Sequence, residues 1–385
     1  MKITYVSTAD QSDPDSFSGT CFWISKSLKN QMDLQDLYIN DPQRVLPFLD
    51  EFIFRCRSLW YHFYKRMLLD PQWQRRRAEQ IATVVKEYLN HIKTDAILTA
   101  LSPISGAYLE INKPIIYWSD YVFGSLIPFY PFYPQYHPET AFDAHFVTSA
   151  CLMNAKLLIF SSEWAARSAI EFYGISKEKV KVVPFGANIE ITHTYDDVKN
   201  FIQARSRKCI KLLHVGKQWY RKGGDVVLKI AKHLHDSGHP VEVTIVGCTP
   251  PDKNLPTYVK CEEMLSKKKP ENIEKLKSLY REAHFLFVPS RAEAFGIVFC
   301  EANAFAVPCI STHVGGISEI IKDGINGITF SFETTVQEYC DYIVNTWSNY
   351  PGYEALALSS FNEYTTRLNW QVAASKVKSL IAEVI

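Results

Sequence analysis

Apolar runs of strand length alternate with segments of helical periodicity along the whole chain, and this rhythm starts twice. In the first half, the predicted strands are residues 2–7, 96–100, 114–118, 157–161 and 180–183. In the second half, they are residues 210–215, 241–246, 285–289 and 307–311, separated by predicted helices that include 225–236, 273–282 and 294–304. Such alternation builds parallel sheets covered by helices. The chain is therefore predicted to be an α/β protein with two doubly wound domains.

The 385 residues exceed what one hydrophobic core normally supports, which also favours two domains. Residues 1–190 form the first predicted domain and residues 209–365 the second. Residues 191–208, which are polar and lack a strong period, are the predicted linker. Residues 366–385 have helical apolar spacing and are predicted to close the chain as a helix that packs back toward the first domain. Ligands bind outside the carboxyl ends of open α/β sheets, so a cleft between the domains is the expected site.

Charge and cysteine content narrow the class of protein. The formal net charge is +1, which argues against nucleic acid as the main partner. The nine cysteines are dispersed, with no Cys-x-x-Cys pair and no zinc-finger spacing, so reduced thiols in the cytosol are expected and no metal site is predicted. No signal peptide is expected, and charge, glycine and proline interrupt the most apolar stretch, 115–134, before it could span a membrane. A cytoplasmic location is therefore expected.

Residues 55–77 form a basic and aromatic segment with seven Lys and Arg residues against the single acid Asp70. Its aromatic residues are Trp60, Tyr61, Phe63, Tyr64 and Trp73. A helix of this composition could lie on an anionic membrane surface, with basic residues toward the headgroups. The plainer alternative is a solvated helix whose aromatic residues pack inward, since runs of charge are usually solvated. Peripheral membrane contact is thus one of two interpretations of this segment.

The segment 289–302 follows a predicted strand and leads into a predicted helix. Phe295, Gly296, Ile297 and Val298 would form the turn and the helix start, where unpaired N–H groups and the helix dipole suit a diphosphate. Glycine at 296 would let a ligand approach the main chain closely. Glu293 and Glu301 would flank this helix start, and carboxylates of this kind accept hydrogen bonds from the vicinal hydroxyls of a ribose or pyranose. A capped, solvated helix is the plainer alternative.

The loop 216–224 follows the first strand of the second domain. Lys217 and Lys222 supply cations, and three glycines permit close backbone approach, an arrangement that suits a phosphate cradle. The loop is not a Walker motif, because Gly-Lys-Ser/Thr is absent. The glycines are Gly216, Gly223 and Gly224.

Segment 289–302 closely resembles the Glu-x7-Glu motif of retaining glycosyltransferases with the GT-B fold, particularly family 4. The match continues through Val307-Pro308, Gly315-Gly316, Glu319 and Asn326-Gly327 in that family's order. Loop 216–224 is similar to the family's Gly-Arg or Gly-Lys followed by Arg-Lys-Gly. The resemblance is strong over residues 209–330 and more diffuse over 1–190, and it implies two Rossmann-like domains in the GT-B arrangement.

The resemblance implies transfer of a hexose-type sugar, with retention, from a UDP-, GDP- or ADP-sugar co-substrate and without a required metal or other cofactor. It implies that Lys217 and Lys222, with the Ile297 and Val298 amides, neutralise the donor diphosphate. Glu293 would hold sugar hydroxyls and Glu301 the ribose. The base would be held near residues 264–267, and Arg221 is expected to support the site. Further donor contacts are expected from Gly216, Arg221, Leu265, Phe295 and Gly296.

The first domain matches the family less fully. Where family members usually carry a glycine pair facing the donor phosphate, this chain has only Gly19, which is either part of the donor site or a plain turn. Ser119 stands where the family often has a histidine near the transferred sugar. Asp120 is then the polar group at this strand end, as a candidate catalytic residue or as a helix or turn cap.

The acceptor stays open among a glycan, a lipid-linked molecule and a small molecule. Two other functions fit the same scaffold. A non-hydrolysing nucleotide-sugar epimerase would need acid and base residues in the cleft instead of the lysine pair. A catalytically silent sugar-nucleotide-binding protein is the other alternative, which the intact Glu293, Glu301, Lys217 and Lys222 argue against.

Overall fold

The computed structural model describes residues 1–39, 48–70, 73–130 and 135–385. It divides into two compact units: unit 1 comprises Met1–Val183 and Ala374–Ile385, and unit 2 comprises Pro184–Ala373. Each unit contains one six-stranded sheet. All neighbouring strands in both sheets run parallel, which confirms the predicted α/β architecture with two doubly wound sheets.

The strands of unit 1 are β1 Lys2–Ser7, β2 Asp33–Tyr38, β3 Met67–Leu68, β4 Ala96–Ala100, β5 Ile115–Ser119, β6 Gln135–Tyr136, β7 Leu157–Phe160 and β8 Val180–Val182. Its helices are α1 Thr20–Lys29, α2 Phe48–Trp60, α3 Arg75–Leu89, α4 Phe123–Phe129, α5 Pro138–Asn154 and α6 Glu163–Tyr173. The sheet order is β2-β1-β4-β5-β7-β8, and β3 pairs separately with β6. Every residue of β4 and β5 is buried, as expected for central strands covered by helices on both faces.

The strands of unit 2 are β9 Ile210–Val215, β10 Val241–Val246, β11 Val259–Glu262, β12 Phe285–Val288, β13 Cys309–Thr312 and β14 Gly327–Phe330. Its helices are α7 Tyr195–Ala204, α8 Gly224–Asp236, α9 Pro270–Glu282, α10 Ile297–Ala304, α11 Ile317–Ile320, α12 Val336–Ser348 and α13 Tyr350–Thr366. The sheet order is β11-β10-β9-β12-β13-β14, the doubly wound order in which the strand sequence reverses between β9 and β12. Helix α14, Trp370–Ala382, starts in unit 2 and continues into unit 1.

The predicted linker 191–208 contains helix α7. Its first turn is closed by a capping box between Thr194 and Asp197, and Val198 and Ile202, four residues apart, are buried in the core of unit 2. The division between the units falls instead between Val183 and Pro184. Most residues of this segment are polar because only one narrow face of the helix is buried, and the helix was therefore not predicted.

Other differences concern element ends and sheet edges. The predicted strand 307–311 begins two residues later, because Pro308 has no N–H for the ladder and only its carbonyl accepts, from the Leu286 amide at 3.1 Å. The strands β2, β11 and β14 were not predicted. All three lie at or beside a sheet edge, where partial exposure weakens the apolar pattern.

The basic segment 55–77 is not one helix. After α2, a π-helical turn spans Tyr61–Lys65, and Arg66 adopts φ 52 before the chain enters β3. Trp73 and Arg77 are buried, whereas residues 71 and 72 lie outside the described residues. No helix within the described ranges is long and apolar enough to cross a membrane. All nine cysteines are free thiols.

Candidate active site

The loops that follow β9 and β12 lie where the strand order of the second sheet reverses. β9 and β12 are neighbours, with Leu213 beside Leu286, although β10 and β11 intervene in the chain. The carboxyl ends of these two strands therefore open side by side, which is where doubly wound sheets bind ligands. Loops 216–223 and 289–296 contain most of the residues predicted for the donor.

Two glycines allow these loops to approach each other and the lysine between them. A Cβ atom at Gly216 would lie 2.7 Å from Cγ of Lys222, so the missing side chain leaves room for the lysine stem. Gly223 has φ +75 and caps α8, and a Cβ atom there would overlap the carbonyl oxygen of Pro289. Only glycine fits this position without moving the backbone.

Hydrogen bonds fasten the two loops together. The Arg291 amide donates to the carbonyl of Arg221 at 2.7 Å, and Arg221 Nη1 donates to the carbonyl of Ala292 at 2.8 Å. Arg291 also makes a bidentate pair with Asp225 in the first turn of α8, with both distances 2.7 Å. The loops are therefore preorganised by contacts that involve no ligand. Arg221 was predicted as a support for the donor site, which stays a prediction, and Arg291 and Asp225 were not predicted.

Lys222 and Glu293 form an ion pair at the centre of this arrangement. The exposed fractions of the two residues are only 7% and 9%. Lys222 Nζ donates to Glu293 Oε2, and Arg221 Nη1 lies 3.5 Å from the same oxygen. Burial lowers the pKa of Lys222, against the opposing charge of Glu293. Burial disfavours the Glu293 carboxylate, but the charges of Lys222 and Arg221 hold its pKa below the ordinary value. Two cations and one anion leave a positive excess here, which favours an anionic ligand.

The turn before α10 is formed as predicted, but the helix begins at Ile297 and not at residue 294. Gly296 has φ +102, a left-handed conformation that cannot belong to a right-handed helix. The first N–H groups of α10 have no acceptor within the helix. The Gly316 amide donates to the carbonyl of Glu293 at 3.2 Å, and the Phe295 ring packs edge-on against Phe185 with centroids 5.3 Å apart. Both contacts fix the turn.

Glu301 is held by two residues that the sequence did not single out for it. The carboxylate is almost fully buried, Lys267 Nζ lies 2.5 Å from Oε1, and the Tyr280 hydroxyl donates to Oε2 at 3.1 Å. Burial and the nearby carboxylate raise the pKa of Tyr280 well above its ordinary value, so its hydroxyl remains a donor. Lys267 belongs to the segment 264–267, which was predicted to lie near the base, and nothing else in the sequence indicated that it contacts Glu301.

The remaining predicted residues of unit 2 are more open. Lys217 is exposed and makes no ion pair or hydrogen bond with any described residue, unlike Lys222. Leu265, Ile297 and Val298 are half-buried. Met264, next to Leu265, reaches the turn after β10, where its Cε would lie 2.8 Å from a Cβ atom at Gly247. The 264–267 segment therefore lies at the carboxyl ends of β10 and β11.

In unit 1, Gly19 and Asp120 lie at the carboxyl ends of the first sheet. Gly19 has φ 86 and caps α1, after Phe17 and Ser18 with φ 47 and 58. Three consecutive left-handed residues are unusual, and such conformations concentrate at functional sites. Asp120 directly follows β5 and is half-buried. Burial, together with the charge of Asp120, raises the pKa of Cys21 in α1 to about 11, which places Asp120 near the start of that helix.

Three histidines of unit 2, at positions 214, 233 and 313, have protein partners. His214 donates through Nδ1 to the carbonyl of Phe287 at 2.9 Å, and burial lowers its pKa to about 4, so the ring is neutral at pH 7. His233 contacts Gln337 at 3.0 Å and His313 contacts Thr329 at 3.3 Å. Across the part of the chain that the structure describes, no three His, Cys, Asp or Glu residues are grouped to hold a metal ion.

Residues 197–356, which include both lysines and both glutamates, match the family described as "Glycosyl transferases group 1". The D-inositol 3-phosphate glycosyltransferase of Corynebacterium diphtheriae is 24% identical over 246 residues, covering 60% of this chain and 56% of that protein. The enzyme of the same name from Nocardia farcinica is 29% identical over 194 residues, covering 46% of this chain and 42% of that protein. The chain thus spans about half the length of these curated relatives.

Solved structures share the whole architecture. Sucrose-phosphate synthase from Thermosynechococcus elongatus superposes with a TM-score of 0.69 and 16% identity, over 100% of this chain and 98% of that one. Alr3699/HepE from Anabaena, solved in complex with UDP-glucose, has a TM-score of 0.64 and 16% identity over the full length of both chains. At these identities the likeness shows the fold. The chain therefore has the GT-B fold, and residues 197–356 of unit 2 are similar to the group 1 glycosyl transferases.

Proposed function

We propose that this protein is a retaining, family 4 glycosyltransferase that moves a hexose-type sugar from a nucleotide-sugar donor to an acceptor without a required metal. Unit 2 is the donor-binding unit and unit 1 the acceptor-binding unit. The observation that carries the proposal is the buried Lys222–Glu293 pair, with its positive excess, between the two loops at the switch point. The positive charge would attract a diphosphate, and the carboxylate beside it would accept hydrogen bonds from sugar hydroxyls.

The diphosphate would be bound by Lys222, by Lys217 and by the Ile297 and Val298 amides at the start of α10. As the sugar–phosphate bond breaks, negative charge grows on the diphosphate and the sugar becomes oxocarbenium-like. Preorganised donors stabilise that charge, and loss of one typically costs about 3–4 kcal/mol of the activation free energy. Lys222 is buried and Lys217 is exposed, so Lys222 should contribute more of this stabilisation, because charges interact more strongly away from water.

The two glutamates would hold the two sugars of the donor. Glu293 would accept hydrogen bonds from hydroxyls of the transferred sugar. Arg221 would hold the Glu293 carboxylate in place, and Gly216 would leave room for the side chain of Lys222. Glu301 would bind the ribose hydroxyls, and the hydrogen bond from Tyr280 would hold Oε2 in place. Lys267, which contacts Oε1, would either move away from this oxygen or keep its contact while the ribose binds. Leu265 would contact the base, and Phe295 would support the turn at Gly296.

UDP-glucose is the donor to test first, since it is the sugar nucleotide in the complex of Alr3699/HepE. A polyol or sugar acceptor is consistent with the name of the curated relatives, D-inositol 3-phosphate glycosyltransferase. The acceptor would lie near the Gly19 turn and Asp120, which would orient its attacking hydroxyl. We extend the proposal to peripheral membrane contact within residues 55–77, which would bring the enzyme to a lipid-linked acceptor.

A thermal-stabilisation screen with UDP-glucose, UDP-galactose, GDP-mannose and ADP-glucose tests donor binding, because a ligand of the native state raises the melting temperature. At least one donor should stabilise the wild type, and Lys222→Ala should abolish the shift. Lys229→Ala, an exposed lysine on α8, is the matched control and should behave as wild type. Absence of a shift with all four donors would count against the proposal.

Turnover separates the enzyme classes that share this scaffold. With a stabilising donor and an acceptor panel, we expect free nucleoside diphosphate together with a glycosylated acceptor whose anomeric configuration matches that of the donor. An epimerised nucleotide sugar, formed without consumption of acceptor, would identify an epimerase instead. Binding without any turnover would indicate a silent sugar-nucleotide-binding protein.

A further inference from the structure

Helix α2 is apolar on the side that faces away from the other elements of unit 1. Its inward side is marked by Phe54, Ser58 and Tyr61, spaced four and three residues apart. Phe54 is buried, Ser58 Oγ donates to the carbonyl of Leu69 at 3.0 Å, and the Tyr61 ring lies 4.1 Å from that of His137. At about 100° per residue, the opposite side falls on positions 52, 56, 59 and 63. No charged residue occupies any of these outward positions.

The exposed side chains on and beside this outward face are unusually large and apolar. Seven of them have exposed fractions between 47% and 75%: Leu49, Phe52, Ile53, Leu59, Trp60, Phe63 and Tyr64. Trp60 and Tyr64 stack with centroids 5.9 Å apart. Single exposed apolar residues are ordinary, but a contiguous group marks an interaction surface.

Basic residues border this face. Between positions 55 and 66, the chain has Arg55, Arg57, Lys65 and Arg66 and no acid, and the two acids of the helix, Asp50 and Glu51, lie in its first turn. Glu139, an acid on the neighbouring helix α5, is paired with Arg57 at 2.5 Å. The same helix α5 presents Phe142, 57% exposed, one turn further on. Basic residues therefore border the apolar face of α2.

The geometry points to an interfacial helix: the outward face of α2 and of the turn Tyr61–Lys65 docks on an anionic phospholipid bilayer. The helix lies in the plane of the headgroups, with Phe52, Leu59 and Phe63 toward the acyl chains. Trp60 and Tyr64 sit at the interface, where amphipathic rings are favoured, and Lys65 and Arg66 contact lipid phosphates. Charge complementarity selects the bilayer, since the apolar centre would bind any apolar surface but the rim requires an anionic one.

Co-sedimentation with vesicles tests this inference on the full chain. Wild-type protein should bind vesicles of equal parts phosphatidylcholine and phosphatidylglycerol, and should bind phosphatidylcholine alone about tenfold less well. The triple variant Phe52→Ser/Leu59→Ser/Phe63→Ser should lose binding by about tenfold or more, because it removes most of the inserted apolar surface. Lys65→Gln/Arg66→Gln should weaken binding to the anionic vesicles only.

The control variant Phe172→Ser/Phe332→Ser removes two equally exposed aromatic residues elsewhere and should bind as wild type. Circular dichroism and donor-induced stabilisation, measured in parallel, show whether each variant is folded and keep this test separate from the proposed donor site. Equal vesicle binding by wild type and the triple variant would overturn the inference. So would concentration-dependent dimerisation of the wild type that the triple variant lacks, without vesicle binding, since the face would then cover a second copy.

Discussion

The ammonium of Lys222 and the carboxylate of Glu293 are paired and buried where the loop after β9 meets the loop after β12. Neither charge reaches solvent appreciably, so each depends on the other for its solvation. Arg221 adds a second cation to the same carboxylate oxygen. The pair therefore links the stability of unit 2 to the charge that we propose for catalysis.

Removal of either partner should destabilise the protein more than removal of both. Glu293→Leu leaves the Lys222 ammonium as an unpaired buried charge, which typically costs about 3–5 kcal/mol of the free energy of unfolding. Lys222→Met leaves the buried Glu293 carboxylate with Arg221 alone, 3.5 Å away, so its loss should lie toward the lower end of that range. The double variant leaves none, so its loss should be clearly smaller than the sum of the two single losses. Urea unfolding measures the three values, and all three variants should lack transferase activity. Additive losses would contradict a coupled pair.

Gly223→Ala should be far more destabilising than Gly238→Ala. Both glycines have left-handed backbones, with φ +75 and +83, so alanine strains both alike. A methyl group at 223 would also overlap the Pro289 carbonyl, whereas none of the described atoms lies within 4 Å of one at 238. Overpacking of this kind adds about 1–3 kcal/mol. Equal losses in denaturant unfolding would show that the two loops can separate without cost.

Tyr280→Phe should weaken donor binding while the chemical step stays nearly intact. The substitution removes the hydrogen bond to Glu301 Oε2, worth about 1 kcal/mol, and lets the carboxylate turn away from the ribose. We expect the KM for the donor to rise several-fold and kcat to change little. Tyr339→Phe, at another buried tyrosine of unit 2, is the control. A fall in kcat at unchanged KM would assign Tyr280 a different role.

Stability should fall as the pH drops below 6.5, partly because of His214. Burial lowers the pKa of this ring from 6.5 to about 4, so the unfolded chain binds a proton at a pH where the folded protein does not. The stabilisation is complete above the unfolded pKa and is lost as pH falls toward the folded one. Between pH 7 and pH 5 this single group accounts for about 2 kcal/mol.

His214→Asn keeps a donor for the Phe287 carbonyl but removes the titrating ring. Urea unfolding of this variant at pH 7, 6 and 5 should show a flatter decline than wild type. His284, whose pKa burial lowers to about 3, should contribute to the remaining slope in the same range, together with His193 and His145, whose pKa values burial also lowers. An unchanged pH slope in His214→Asn would mean that the ring is accessible to protons in the folded protein.

The central strands and the donor motif could be predicted because their signals are local. β1, β4, β9 and β10 occur within the residues predicted for them, since largely buried strands of a parallel sheet are rich in apolar residues. The turn at Gly296 was predicted because a turn that leads directly into a helix often needs a left-handed residue, which glycine adopts most readily. The edge strand β2 and helix α7 were missed, since each buries only one side.

The sequence alone determined the two parallel α/β units and the residue types in and after the loops that follow β9 and β12: two lysines, two glutamates and the glycines between them. Only the tertiary structure decided that Glu293 pairs with Lys222, that Glu301 is held by Lys267 and Tyr280, and that the apolar face of α2 points outward. The reason is physical. Strand, turn and helix preferences act over a few neighbouring residues, whereas the partner of a buried charge and the side of a helix left in solvent are set by packing between distant segments.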